Sequence, residues 1–292
     1  MISTSKGTEF YLKQSLQCGD KMLNVAKPLV MGILNITPDS FYAGSRYDMH
    51  ELWMAAAKKM LNEGAAILDI GAVSSRPRAA IVSEDEELQR LIPVIKELAF
   101  TFPDVVLSID TYRSHVAVKA VESGAHIIND ISAGELDPAM FETIAGLGVP
   151  YIMMHMQGAP NHMQDGPVYS DVVEDIKTYF ERRLEKLYHY GSVDVLLDPG
   201  FGFGKTIFHN YEILRRLNYF SSIGLPIVAG LSRKSMIYKI LGTTPEESLN
   251  GTTVLHTLAL LNGAKILRVH DVREAVETIK LIDVYKNKPM TF

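Results

Sequence analysis

Residues 195–206 read VLLDPGFGFGKT: an apolar run, an Asp-Pro break, alternating glycines and a Lys-Thr pair. The ending looks like a phosphate loop, but that loop places four residues between its first glycine and the Gly-Lys-Ser/Thr. Only three separate Gly200 from Gly204. The dinucleotide fingerprint fails as well, because Gly200, Gly202 and Gly204 give G-x-G-x-G and a proline precedes them. The stretch reads instead as a buried strand ending at Asp198. A tight loop then follows from Pro199 and brings backbone and Phe203 close to a ligand. On this reading Lys205 is a solvated lysine, not a phosphate ligand.

The same grammar recurs along the chain. Short apolar runs stand at 29–35, 66–71, 105–110, 126–130, 150–156, 193–198, 225–232 and 265–270. Longer amphipathic segments follow them, such as 49–63, 84–101, 113–123, 169–190 and 245–262. Strands that are apolar nearly throughout are buried on both faces, as a parallel sheet covered by helices requires. Eight such units predict an α/β fold, a (β/α)8 TIM barrel over 28–292 with a short N-terminal extension, 1–27, packed on it. An open doubly wound sheet is the structural competitor.

Composition narrows the function classes. The 292 residues are 47% hydrophobic and 22% charged, an ordinary globular balance. Apolar runs fall short of the roughly 18–20 residues that span a bilayer, and MISTSKGTEFYLKQS at the N-terminus lacks an apolar signal segment. The expectation is a cytoplasmic protein with no membrane contact. The single cysteine, Cys18, excludes an intramolecular disulfide framework and a cysteine-rich zinc site, and reads as an incidental thiol. A net charge of −5 gives no general footprint for nucleic acid but leaves room for a local basic pocket.

Nearly every strand ends in residues able to do chemistry: Asn35, then DIG running into AVSSRPR, Asp110, Asn129 with Asp130, His155, Asp198, LSRKS and RVHD. In a barrel these ends meet at one face, where active sites are built. Taken singly they are weak. Asp130, Asp137 and Asp271 read as helix caps, Asn35 as a turn residue and His155 as a hydrogen-bonded core histidine. Taken jointly they outline a ligand. Arg76, Arg233, Lys234, Arg268 and His270 gather positive charge suited to phosphate or diphosphate. Asn35 and Ser75 add neutral donors or help hold Mg²⁺ with a diphosphate. Asp110, Asn129 and Asp198 form an acceptor cluster that matches a flat heterocycle displaying N–H donors. Met153, Met154, Met156 and Phe203 offer apolar surface for its ring.

These motifs occur in order across 28–287 as MGILNITPDSF, DIGAVSSRPRA, SIDT, IIND, MMHMQG, LLDPGFGFGK, LSRKS and RVHD, and together the chain resembles the dihydropteroate synthase family. The resemblance implies a barrel transferase of folate biosynthesis, a homodimer and sulfonamide target. Such an enzyme joins p-aminobenzoate to 6-hydroxymethyl-7,8-dihydropterin diphosphate and releases diphosphate with Mg²⁺ present. It places the pterin against Asp110, Asn129, Met154, Asp198 and Lys234, and the diphosphate against Asn35, Arg76, Arg268 and His270, with Asn35 near Mg²⁺. The aminobenzoate falls among Phe41, Ser75, Pro77, Phe203, Ser232 and Lys234. Asp110, Lys234, Arg268 and His270 are the implied catalytic groups, acting through a pterin carbocation. Two positions depart from the family pattern: Arg78, where a glycine is usual, and Ala43, where an aspartate is common.

The competing functions are a corrinoid-linked pterin methyltransferase barrel and a catalytically silent pterin-binding subunit. Arg76, SRKS and RVHD stand against the first, and the intact set of polar residues against the second. From the 292 residues the expectation is no fused pyrophosphokinase. Segment 245–262 can carry a dimer face, although its apolar stripe equally suits packing on the barrel.

Overall fold

The computed structural model describes residues 13–36, 46–73, 82–158 and 166–287. An antiparallel hairpin of β1 (Ser15–Cys18) and β2 (Lys21–Asn24) comes first. The chain then alternates through β3 (Leu29–Asn35), α1 (Arg46–Asn62), β4 (Ile67–Gly71), α2 (Glu84–Thr101), β5 (Val106–Asp110), α3 (Ser114–Glu122), β6 (Ile127–Asp130) and α4 (Met140–Leu147). It continues through β7 (Tyr151–Met154), α5 (Val172–Tyr190), β8 (Val195–Asp198), α6 (Ile207–Arg215) and a 3-10 helix (Leu217–Ile223). It ends with β9 (Val228–Ala229), α7 (Ser235–Leu241), α8 (Leu249–Leu261), β10 (Ile266–Val269) and α9 (Val272–Asn287).

Strands β3 to β10 pair in parallel in the order β8-β7-β6-β5-β4-β3-β10-β9. The ring closes where Leu197 bridges Ile227 and donates its N–H to the Pro226 carbonyl at 2.9 Å. A (β/α)8 barrel results, and the open sheet is excluded. β9 is shorter than the run 225–232 suggests. Pro226 has no N–H to contribute, and the chain leaves the sheet to turn at Arg233, whose φ is +56°. No helix among the described residues is long and apolar enough to cross a membrane.

Two apolar layers hold the fold. Outside the sheet, helices bury stripes against the strands. In α2, Glu87, Leu91, Val94, Ile95 and Leu98 recur at helical spacing, the Ser83 side chain caps the Glu86 N–H at 3.2 Å, and four acidic residues occupy the first turn. In α5, Ile176, Phe180, Leu184 and Leu187 do the same behind an Asp171 cap. Inside the barrel, each strand contributes one buried residue to a layer of Met31, Ile67, Val106, Ile127, Ile152, Leu196, Val228 and Ile266. The hairpin closes that layer from below with Leu16, Cys18, Leu23 and Val25. Burial pushes the Cys18 thiol up to about 12, so it serves as a small apolar plug residue. The bottom is thereby sealed, and the polar strand ends face the other way.

Candidate active site

The strand register assembles the site. Asn35, Gly71, Asp110 and Asn129 stand side by side across β3, β4, β5 and β6. Gly71 has no side chain to intervene. A Cβ there would lie 3.4 Å from Asn35 Oδ1 and 3.6 Å from Asp110 Cβ, so its absence lets these two groups share one space.

Beneath this row lies Asp69, which is fully buried. It accepts the Ser108 hydroxyl at 2.6 Å, Asn129 Nδ2 at 3.1 Å and Arg268 Nε at 2.6 Å. Sequence reasoning named the DIG segment but did not single out Asp69. Its effect is to orient both partners. The bond from Asn129 Nδ2 to Asp69 fixes which end of the amide faces that carboxylate and leaves Oδ1 as an acceptor. Arg268 is fixed between Asp69 and Asp110, donating from Nη2 to Asp110 at 2.8 Å. Burial works against the guanidinium charge, but Asp69 and Asp110 outweigh it and hold the arginine firmly protonated. For Asp110 the balance goes the other way. Burial pushes the carboxyl up to about 7 despite Arg268, with further repulsion from Asp69, Glu87 and Asp130.

On the far wall, Asp198 Oδ1 accepts the Gly200 N–H at 2.7 Å, and burial raises its carboxyl pKa against the pull of Lys234. Lys234 bonds the Phe201 carbonyl and stands 4.7 Å over the Phe203 ring. Burial lowers it to about 8, opposed by Asp198. Phe203 belongs to a small apolar cluster with Tyr112, Ile131, Met154 and Met156 at the mouth of the barrel. Ser232 Oγ accepts the backbone N–H of His270 at 3.2 Å and lies 3.0 Å from its Nδ1. With the ring proton on Nε2, the hydroxyl donates to Nδ1 while it accepts the backbone N–H. Although His270 keeps an exposed edge, partial removal from water, with Arg268 and Arg233 nearby, lowers it to about 4 and favours the neutral ring.

The glycine loop now has its explanation. Gly200, Gly202 and Gly204 adopt φ of +68°, +84° and +60°. A Cβ at Gly200 would lie 2.0 Å from the His155 carbonyl oxygen, and one at Gly204 2.4 Å from that of Gln157. The loop is thus pressed against the backbone of the segment that follows β7. Lys205 is not solvated, in correction of the sequence reading. It is 3% exposed and gives three hydrogen bonds, to His155 Nδ1 at 3.0 Å, the His155 carbonyl at 3.2 Å and the Phe203 carbonyl at 2.8 Å. Thr206 caps α6 in a capping box with His209. The Lys-Thr pair is therefore structural, and His155 is the hydrogen-bonded core histidine expected.

Other expectations divide. Asp130 does not cap a helix: it accepts from Ser132 N–H, the Ser132 hydroxyl and Gly134 N–H at 2.7 Å and from Tyr151 OH at 2.6 Å, which shapes the loop after β6. Asp137 does bind helix-start amides, those of Ser114 and Ala139. The Asp271 carboxylate binds Arg233 at 2.9 and 2.7 Å, so Arg233 does not join the anion-facing rim. The rim cations among the described residues reduce to Lys234 and Arg268, with neutral His270 beside them. Phe41, Ala43, Ser75, Arg76, Pro77 and Arg78 lie outside the described residues.

Fold and site together define a (β/α)8 barrel whose strand ends gather carboxylate and amide acceptors beside an arginine, a lysine and a histidine. The family model described as pterin binding enzyme matches residues 31–270. The dihydropteroate synthase of Escherichia coli (strain K12) is 44% identical over 263 residues, 89% of this chain and 93% of that one. The solved Yersinia pestis dihydropteroate synthase in a sulfonamide drug complex superposes with a TM-score of 0.88 at 41% identity, covering 94% of this chain and 100% of that one. The Xanthomonas albilineans dihydropteroate synthase with 4-aminobenzoic acid gives 0.88 at 38% identity, covering 94% and 99%. The chain belongs to the pterin-binding enzyme family and groups within it with the dihydropteroate synthases.

Proposed function

We propose that the chain condenses 6-hydroxymethyl-7,8-dihydropterin diphosphate with p-aminobenzoate to give 7,8-dihydropteroate and diphosphate. The observation that carries this reading is the juxtaposition of Asp110, Asn129 and Asp198 with Arg268, Lys234 and His270 at one end of one barrel. The pterin ring places its N–H donors on Asn129 Oδ1 and Asp198, takes a hydrogen bond from Lys234, and lies against Met154 and Phe203. The diphosphate meets Arg268 through the N–H groups that Asp69 and Asp110 leave over, the Nε2–H of His270, Asn35 and Arg76. Phe41, Ser75, Pro77, Phe203, Ser232 and Lys234 frame the aminobenzoate.

The chemistry needs no enzyme nucleophile. The bond between the pterin methylene carbon and the diphosphate oxygen breaks, and its electron pair leaves with the diphosphate. Arg268 and His270 stabilise that charge, while ionised Asp110 stabilises the methylene cation delocalised into the ring. The arylamine nitrogen then bonds to the methylene and loses a proton to solvent. Among the described residues no group of three or more His, Cys, Asp and Glu is placed to hold a metal ion. One amide oxygen, that of Asn35, fits an ion whose other ligands are phosphate oxygens and water, the usual habit of Mg²⁺. When bound, Mg²⁺ supplies further charge neutralisation to the leaving group.

A homodimer in the cytoplasm completes the proposal. Exposed apolar side chains on α8 and α9, Val254, Leu258, Leu261, Leu281, Val284 and Tyr285, support a self-complementary face. The sulfonamide drug complex of the Yersinia pestis relative supports sulfonamide binding here, with the aminobenzoate position as the proposed place. Arylamine-dependent release of diphosphate from the dihydropterin substrate tests the function directly.

A further inference from the structure

Arg233 stands between Ser232 and Lys234 and, with Ala133, is one of two described non-glycine residues at positive φ. Such a conformation persists in an arginine only where the surroundings over-determine it. Here three contacts do so. The guanidinium forks onto Asp271, with Nε to Oδ2 at 2.9 Å and Nη2 to Oδ1 at 2.7 Å. The backbone N–H of Arg233 donates to Thr252 Oγ1 of α8 at 3.1 Å. Alongside, the neighbouring residues Ser232 and His270 are joined at 3.0 and 3.2 Å. The loops after β9 and β10 are thus stitched twice, once on the cavity side and once behind it. His256 of α8, buried behind them, feels the Asp271 charge. Its Nε2 has no hydrogen-bond partner among the described residues, and burial pushes it down to about 4, so it brings no second cation to compete for Asp271.

We propose, resting on the dihydropteroate synthase reading above, that the Arg233–Asp271 pair is a clamp that sets Ser232 against His270 and the diphosphate end of the substrate. Arg233 is then a positioning residue and not an anion ligand. Its fork geometry suits this, because a bidentate guanidinium–carboxylate pair fixes orientation as well as distance.

Arg233→Gly removes the side chain at a position where glycine adopts the observed φ freely, so the backbone is relieved and not strained by the change. Wild type, Arg233→Gly, Asp271→Asn and the double variant are compared in two measurements. One is turnover with dihydropterin diphosphate and p-aminobenzoate; the other is binding of 6-hydroxymethyl-7,8-dihydropterin, the same ring without its diphosphate. The clamp predicts that each single variant loses about tenfold or more in kcat, and that the double loses little more than either single. Binding of the diphosphate-free pterin changes by less than about twofold, because Asp110, Asn129 and Asp198 are untouched and Lys234 is held separately, by the Phe201 carbonyl. Wild-type turnover in Arg233→Gly, additive losses in the double variant, or a parallel loss of pterin binding each overturns the clamp. A wild type that releases no diphosphate overturns the enzymatic reading, and the clamp with it.

Discussion

At Asp110 burial and charge oppose each other. Removal from water, reinforced by neighbouring carboxylates, pushes the carboxyl up to about 7, while Arg268 at 2.8 Å favours the ion. In the free enzyme the group is therefore neutral below about 7 and ionised above it. An ionised Asp110 is the form that stabilises a methylene cation. The expectation is that kcat/KM for dihydropterin diphosphate rises as pH increases through about 7, and that Asp110→Asn flattens this limb. In the same variant kcat falls by roughly a hundredfold while pterin binding changes much less. Equal losses in both would show that Asp110 acts on the ground state alone.

Among the elements, the β8–α6 connection decides how the mouth of the barrel is shaped. Gly200→Ala places a methyl 2.0 Å from the His155 carbonyl and at a φ of +68°. It is expected to cost at least about 3 kcal/mol in urea unfolding, because neither the backbone just after β7 nor the turn can yield cheaply. A change below about 0.5 kcal/mol would mean that the two loops are not pressed together. The presence of this loop was legible from Asp-Pro and the glycine spacing, and so was the alignment of Asn35, Asp110, Asn129 and Asp198 at strand ends. What escaped was direction. Lysine side chains usually reach water, so nothing local announced that Lys205 turns inward to satisfy three acceptors at once. Arg233 counted as rim charge because its partner, Asp271, lies on another loop. Asp69 lies two residues before its strand ends and matters through Asn129 and Arg268, both distant in sequence. Each miss concerns a long-range polar contact that periodicity does not encode.

Across the whole molecule, stability and chemistry occupy opposite ends of one barrel. The hairpin seals the base with Leu16 and its neighbours against a residue from every barrel strand, while the polar groups gather at the strands' C-terminal ends. Leu16→Ala is expected to lower unfolding free energy by roughly 2–4 kcal/mol, since it empties a fully buried site, and to leave KM for both substrates unchanged in the folded protein. A shifted KM with unchanged stability would contradict this division. The central claim is the reaction itself, and it meets its most direct test in one assay. Purified protein is given dihydropterin diphosphate and Mg²⁺, and diphosphate release is followed with and without p-aminobenzoate. The account predicts release that depends on the arylamine and is matched by dihydropteroate formed. Tight pterin binding with no release under either condition would contradict it and mark the chain as a silent pterin-binding barrel.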